Sequence, residues 1–157
     1  MACSLINNEI SLTYPDSFQL MDGPALREAY LNDDPDRWGI IEEELHLMIT
    51  VLWQRTNALA VRLSDLPTVA LRNEALTRAA CADCEYEARG FVSRTLGGRP
   101  AEGYCYSYRL NGEERQAYSL LFKQKSRIYG VTCICRQEDS AAWRERFDAI
   151  LDTLEIK

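Results

Sequence analysis

Cysteine is the residue type with the most potential chemistry in this chain. Six cysteines occur in 157 residues, and four of them form two close pairs, Cys81-Ala82-Asp83-Cys84 and Cys133-Ile134-Cys135. Thiolates at such spacings hold zinc or form redox-active disulfides, so Cys81, Cys84, Cys133 and Cys135 are candidate metal ligands. We favour buried or idle thiols, because a C-x-C pair in a strand matches zinc knuckles poorly and free cysteine packs as a small apolar residue. No cofactor and no structural disulfide are predicted.

The single histidine limits the other chemistry that is available. His46 lies between two leucines on a predicted strand, where an exposed or hydrogen-bonded structural imidazole is the favoured interpretation. A dyad of His46 with Cys105 or Cys133 is an alternative that the linear order does not support. The C-x-x-C pair follows a predicted helix, whereas redox-active pairs begin one, where the helix dipole lowers the thiol pKa. The sequence also lacks G-x-S-x-G and phosphate-loop motifs, so we assign no catalytic residue and predict a non-enzymatic protein.

Three tyrosines form the candidate binding site. Tyr104, Tyr106 and Tyr108 alternate along one strand and therefore share one face of it. Amphipathic rings in such a row suit a partner surface or the wall of a ligand groove. The alternative is that the rings lie under a helix with their hydroxyls at the rim. Packing is the favoured interpretation, because strands favour aromatic residues for packing alone, and the three tyrosines remain the partner-binding candidates.

The elements around these tyrosines follow from turn and periodicity signals. Asn111-Gly112 predicts a two-residue hairpin that places Leu110 opposite Glu113, Tyr108 opposite Arg115 and Tyr106 opposite Ala117. Apolar residues on both faces predict that this hairpin is central in a sheet and covered on both sides. A strand over 128–135 and a helix over 141–154 follow. The buried stripe predicted for that helix is Trp143, Phe147, Ile150, Leu151 and Leu154.

The first part of the chain is predicted to alternate strands and helices. We expect a hairpin from strands at 9–14 and 18–20, a helix over 24–32 and strands at 37–44 and 46–54, although one bent strand or a helix is an alternative for the last pair. A helix over 57–80, broken at Pro67, is predicted to be the main core helix, followed by a strand over 84–94. The apolar residues expected to be buried on it are Leu59, Leu63, Leu66, Leu71, Ala75, Leu76 and Ala79.

Composition narrows the class of partner. The hydrophobic fraction of 46% and the charged fraction of 27% are ordinary for a globular protein, and the length fits a single domain over 1–157. A net charge of -6 gives no basic field for nucleic acid or anionic membranes, so neither is a predicted partner. The sequence shows neither a secretory leader nor an apolar run long enough to span a membrane. We therefore predict a cytoplasmic protein.

Three segments carry a family resemblance. They are Ile10-Ser11-Leu12-Thr13-Tyr14-Pro15 followed by Phe18, the loop Leu96-Gly97-Gly98-Arg99-Pro100-Ala101, and the terminal Phe147-Asp148-Ala149-Ile150-Leu151-Asp152-Thr153-Leu154. Together they resemble the Mog/PsbP-like fold, including the bacterial DcrB-related proteins. The resemblance implies an α+β protein, an α/β/α sandwich whose central, twisted, mostly antiparallel sheet is flanked by helices.

The resemblance also implies a binding role. Its members include a small-GTPase partner, a photosystem subunit and bacterial chaperones or adaptors, so the expected function is a protein-binding module, as monomer or homodimer. It assigns no binding residue to this chain, because no partner-contacting motif is matched. Two alternatives stay open from the residues themselves: a cysteine-based metal-binding or redox protein, and a small-ligand-binding domain with its pocket above the tyrosines.

Overall fold

The computed structural model describes residues 1–30, 36–136 and 140–157. Within them, ten strands and four helices follow one another along the chain. The strands are β1 Ala2–Ile6, β2 Ile10–Tyr14, β3 Gln19–Leu20, β4 Arg37–Glu42, β5 Leu47–Arg55, β6 Glu87–Leu96, β7 Arg99–Leu110, β8 Glu113–Gln124, β9 Arg127–Arg136 and β10 Glu155–Ile156. The helices are α1 Gly23–Tyr30, α2 Ala58–Leu63, α3 Leu66–Ala80 and α4 Ser140–Leu151.

Seven strands form the main sheet, in the order β3-β4-β5-β9-β8-β7-β6. A second sheet has the order β1-β2-β10. Every neighbouring pair in both sheets is antiparallel. The predicted antiparallel α+β architecture is therefore confirmed.

The main sheet is the middle layer of a sandwich with unequal sides. Helices α2 and α3 cover one face over β7, β8 and β9, while α4 and the small sheet cover the other. Nearly all of the apolar core lies on the α4 side, where Ile49, Leu120, Phe122, Val131 and Phe147 are fully buried. The predicted stripe of the terminal helix is buried as expected: Trp143, Phe147, Ile150, Leu151 and Leu154.

The aromatic hairpin has the predicted register. Leu110 lies opposite Glu113, Tyr108 opposite Arg115 and Tyr106 opposite Ala117. Asn111 and Gly112 both take positive φ, 53° and 78°, as a hairpin turn with mirror-image twist requires. The hairpin lies inside the main sheet and is covered on both faces, which confirms its predicted central position.

The predicted opening hairpin is wrong in its pairing. Strand β2 pairs with β1 and β10, whereas β3 pairs with β4 in the other sheet. The turn that makes the real hairpin is Asn7-Asn8, whose φ angles of 54° and 55° lie in the left-handed region that asparagine tolerates. The turn at Tyr14-Pro15 instead carries the chain from one sheet to the other.

The helix predicted over 57–80 is interrupted close to Pro67 as expected, but its predicted burial as the main core helix is wrong. The chain forms two helices, α2 and α3, which are separated by Ser64 and Asp65, and Pro67 lies in the first turn of α3 rather than at a break. Asp65 caps α3 by accepting a hydrogen bond from the Thr68 amide, 3.2 Å long. Of the apolar residues expected to be buried, only Leu66 is; α3 buries Leu66, Ala70 and Glu74.

Three predicted features extend beyond the described residues. They are the last two residues of the helix predicted over 24–32, most of the segment 32–36, whose acidic and turn-forming residues predict a surface loop, and Gln137, Glu138 and Asp139, which the sequence offers as cap candidates for the last helix. In the described part of the chain, no helix combines the length and the apolar content needed to cross a bilayer.

A buried glutamate joins the two sheets. Glu9, 6% exposed, forms an ion pair with Arg127 and accepts a hydrogen bond from the Tyr129 hydroxyl at 2.9 Å. Asn7 donates to the same hydroxyl at 3.0 Å. Burial, opposed by the hydrogen bond from Asn7, raises the pKa of Tyr129 to about 12.

We therefore expect the protein to lose stability in alkali. An unfolded tyrosine titrates near pH 10, so the folded state holds the Tyr129 proton more tightly. The resulting stabilisation is complete below about pH 10 and is lost as the pH rises towards 12. Urea unfolding measured from pH 8 to 11 should show this loss, and Tyr129→Phe should reduce its slope. An unchanged slope in the variant would contradict the assignment to Tyr129.

Candidate protein-binding surface

Helix α3 turns its polar residues towards the sheet. Asn73 donates a hydrogen bond from Nδ2 to the Tyr104 hydroxyl at 2.8 Å, and Thr77 Oγ1 is 2.8 Å from the same hydroxyl. Tyr104 itself is only 2% exposed. Because a buried hydroxyl without partners is costly, these bonds explain why this face of α3 packs inwards.

Glu74 is the second inward-facing polar group of α3. It is 6% exposed, accepts a hydrogen bond from the Tyr86 hydroxyl at 2.9 Å and binds Arg78 Nη2 at 2.7 Å. Burial, followed by the hydrogen bond to Glu74, raises the pKa of Tyr86. The carboxylate is therefore fixed by two partners and orients α3 over the sheet.

The predicted tyrosine row lies beneath α3. Ring centroids are 5.3 Å apart for Tyr86 and Tyr106, and 5.8 Å apart for both Tyr104–Tyr106 and Tyr106–Tyr108. Tyr104 and Tyr106 are buried, and Tyr108 is partly exposed. Their placement is that of a packed layer under a helix. A partner-binding role for Tyr104, Tyr106 and Tyr108 stays a prediction.

The outward side of α3 carries two exposed leucines. Leu71 is 60% exposed and Leu76 is 62% exposed. At about 100° per residue, these two leucines flank a ridge made by Ala75 and Ala79, both of which are exposed. Helix α3 therefore exposes Leu71 and Leu76 beside Arg72, while its inward side combines the polar Asn73, Glu74 and Thr77 with the apolar Leu66 and Ala70.

Helix α2 also exposes two leucines. Leu59 is 54% exposed and Leu63 is 74% exposed, while Val61 is buried against the sheet. Because α2 and α3 follow each other on the same face of the sheet, we call Leu59, Leu63, Leu71 and Leu76 the leucine surface. The helical pattern predicted that all four leucines lie in the core, and this prediction is wrong.

The cysteine pairs lie on opposite sides of the main sheet. Cys133 is directly opposite Tyr118 on the α4 side, whereas Cys81 lies at the end of α3, close enough to Tyr106 and Tyr108 to affect their pKa values. The four candidate thiols therefore do not converge on one ion. Burial raises the pKa of both Cys81 and Cys133, which disfavours the reactive thiolate. No cluster of three or more metal-binding side chains occurs in the described residues.

His46 lies in a turn rather than on the predicted strand. The turn joins β4 to β5, and His46 is exposed there with a φ of 51°. It borders a groove of about 420 Å³, whose apolar lining includes Met48 and Ile134. Arg115 and Arg136, which face each other across β8 and β9, also line it. The small-ligand alternative, with its pocket above the tyrosines, stays a prediction.

Comparison with solved structures identifies the fold. Cyanobacterial PsbP (CyanoP) from Synechocystis superposes with a TM-score of 0.73 at 11% identity, over 99% of this chain and 92% of that chain. The Ran-binding protein Mog1p of Saccharomyces cerevisiae gives a TM-score of 0.58 at 12% identity, over 99% and 94%. LpqN of Mycobacterium tuberculosis, involved in cell envelope biogenesis, gives 0.53 at 16% identity, over 94% and 83%.

These similarities establish the class of structure. The chain has a Mog/PsbP-like fold, as the three sequence segments indicated. Structural similarity at identities of 11 to 16% shows the fold alone and assigns no function. No protein-family model matches the sequence, and no curated protein sequence matches it. The resemblance to DcrB-related proteins stays a prediction.

Proposed function

We propose that this chain is a non-enzymatic protein-binding module, an adaptor, chaperone or accessory subunit that acts in the cytoplasm through the leucine surface. The observation that carries the proposal is the exposure of Leu71 and Leu76 on α3. The helix turns Asn73, Glu74 and Thr77 towards the sheet and leaves these two leucines as apolar area that a partner can cover.

Exposed apolar patches on soluble proteins mark interaction sites more often than isolated apolar residues do. Charges at the edge of the leucine surface add specificity, since Arg62 and Arg72 are exposed and Arg78 is 60% exposed while bound to Glu74. One protein of similar fold supports a binding role, since Mog1p is a Ran-binding protein.

Paired leucine variants test this proposal. We expect the wild-type protein to recover a stoichiometric partner from native lysate of its own organism, and Leu71→Ser/Leu76→Ser to recover at least tenfold less. Burying one leucine contributes about 1.5–3 kcal/mol, and about 1.4 kcal/mol is tenfold in affinity. Leu5→Ser/Leu20→Ser is the matched control, because those leucines are 53% and 64% exposed on other elements.

The outcomes distinguish two questions: whether the protein is a binding module, and whether it binds through the leucine surface. If wild-type protein recovers no stoichiometric partner, the binding-module proposal is wrong. If the α3 double variant recovers as much as the control does, a module remains but the leucine surface does not mediate the contact. Circular dichroism of both variants verifies that folding is unchanged.

A further inference from the structure

Cys81 and Cys84 lie in a tight turn at the end of α3. The Cys84 N–H donates to the Cys81 carbonyl at 2.9 Å, a bond from the fourth residue to the first that is typical of a β-turn. The Cα atoms of the first and fourth residues of such a turn are less than about 7 Å apart, and disulfides join Cα atoms about 4.4–6.8 Å apart. The backbone therefore holds these two cysteines at a separation that a disulfide can bridge.

Both thiols lie on the same side of this turn. Burial raises the pKa of Tyr108; Arg115 opposes the shift, and the Cys81 and Cys84 thiols add to it. Burial also raises the pKa of Cys81, and the neighbouring Cys84 adds to that shift. Contributions of this kind come from near neighbours. Because two cysteines whose side chains point apart cannot be bridged without backbone movement, the shared neighbour Tyr108 favours closure of this pair.

The turn is both anchored and accessible. The Cys84 carbonyl accepts a hydrogen bond from the Arg109 amide at 2.6 Å, which ties the turn to the end of β7. Cys81 and Cys84 are partly exposed, whereas Cys133 and Cys135 are buried. A small reagent can therefore reach the first pair without unfolding of the sheet, and the second pair is protected from it.

The position of the pair indicates a stable disulfide rather than a catalytic one. The negative end of the α3 dipole and the burial of Cys81 both disfavour a thiolate. Strongly oxidising disulfides owe their potential to a stabilised thiolate in the reduced form. Because that stabilisation is missing here, we expect slow formation of a disulfide that is retained once it has formed.

We propose that Cys81 and Cys84 form a reversible disulfide by exchange with a small-molecule disulfide of the glutathione type. One protein thiolate attacks the small disulfide, which releases one small thiol and leaves a mixed disulfide. The second protein thiolate attacks the protein sulfur of that intermediate and expels the second small thiol. The two cysteines are thus oxidised, the small disulfide is reduced to two thiols, and the protons of the cysteines pass to the leaving thiolates. The site is separate from the leucine surface and does not depend on it.

Treatment of the native protein with excess oxidised glutathione tests the bridge. Trypsin cleavage after Arg78 and Arg89 releases residues 79–89, which contain Cys81 and Cys84 and no other cysteine. After free thiols are alkylated, we expect this peptide to be lighter by the mass of two hydrogen atoms and to carry no alkyl group and no glutathione. Dithiothreitol should restore both thiols. The bridge should form faster at pH 8.5 than at pH 7, because exchange requires a thiolate.

Two controls separate the turn from the motif. Cys81→Ser and Cys84→Ser each keep one thiol of the pair, so we expect them to stop at the mixed disulfide and to retain at least tenfold more bound glutathione on residues 79–89 than wild type does. The synthetic peptide 79–89 has the same motif without the fold. We expect its equilibrium constant for ring closure to be at least tenfold lower, because the free chain must lose backbone freedom to close.

Three results would overturn the inference. They are two free thiols or bound glutathione on residues 79–89 of treated wild-type protein, a bridge from Cys81 or Cys84 to another cysteine, and equal closure constants for the folded protein and the peptide. Circular dichroism of the treated protein verifies that the fold is retained. None of these results concerns the leucine surface, so recovery of a partner from lysate tests the proposed function separately.

Discussion

Replacing Phe147 with alanine is expected to lower the free energy of unfolding by about 3–5 kcal/mol. The ring is 0% exposed. It meets Tyr118 of the main sheet edge to face, with centroids 5.6 Å apart, and stacks with Trp143 at 6.4 Å. Removing it leaves a cavity between α4 and the sheet, at the centre of the apolar core, where the surrounding rings relax only in part.

Urea unfolding followed by circular dichroism measures this loss, and Phe91→Ala supplies the control. Phe91 has the same side chain but is 56% exposed, so its removal should change stability by about 0.5 kcal/mol or less. Equal losses in the two variants would show that the α4 layer does not anchor the core.

The sheet and its last helix were predictable because local and global signals agree there. Asn111-Gly112 sets the register of β7 and β8 without any knowledge of the rest of the fold. Residues that alternate along these strands separate cleanly into a tyrosine face and a Phe122 face. The stripe on α4 has only one apolar side to bury, so its orientation follows from the sequence alone.

The orientation of α3 did not follow from the sequence because the helix has two competing faces. One carries Leu71 and Leu76, and hydrophobic periodicity assigns it to the core. The other carries Asn73 and Thr77. Burying these polar side chains is favourable only because they hydrogen-bond Tyr104, which lies 27 residues beyond Thr77 in sequence. The Tyr104 hydroxyl, which needs partners, and the packing of Leu66 and Ala70 against Leu121 both favour the observed orientation. Single-sequence periodicity does not detect these long-range requirements.

The N-terminal pairing was missed for a related reason. Strand β1 pairs with β2 through the Asn7-Asn8 turn, a weaker hairpin signal than Asn-Gly. Strand β10 has only 2 residues and joins β2 from the far end of the chain. Neither a two-residue strand nor a contact across almost the whole sequence leaves a periodic pattern to detect.

The binding surface was hidden by the same assignment. If Leu71 and Leu76 lie in the core, α3 has no exposed apolar area to suggest a partner. The tyrosines then remain as the binding candidates. The signal that could have found the leucine surface is the spacing of Asn73, Glu74 and Thr77, which share one side of a helix. A polar side of that kind next to a tyrosine-rich strand predicts inward hydrogen bonds as readily as exposure.

Gly103→Ala is expected to be the most damaging single substitution, with a loss of more than about 4 kcal/mol of stability or no soluble protein. A Cβ at position 103 would lie 1.8 Å from the Ser119 carbonyl oxygen and 3.0 Å from the Leu120 Cα. Both neighbours are backbone atoms of β8, so no side-chain rotation relieves the overlap. Relief requires β7 and β8 to separate, which breaks the ladder that places Tyr104 beneath α3.

Gly23→Ala is the matched control, because a Cβ there meets no atom within 4 Å and the backbone is not left-handed. Soluble yield and urea unfolding of the two variants measure the difference. We expect the Gly23 variant to match or slightly exceed wild-type stability, since alanine restricts the unfolded chain. A Gly103→Ala protein that unfolds within 1 kcal/mol of wild type, about the cost of an ordinary substitution, would show that β7 and β8 lie further apart than described. The position of the tyrosine row beneath α3 would then have to be revised with them.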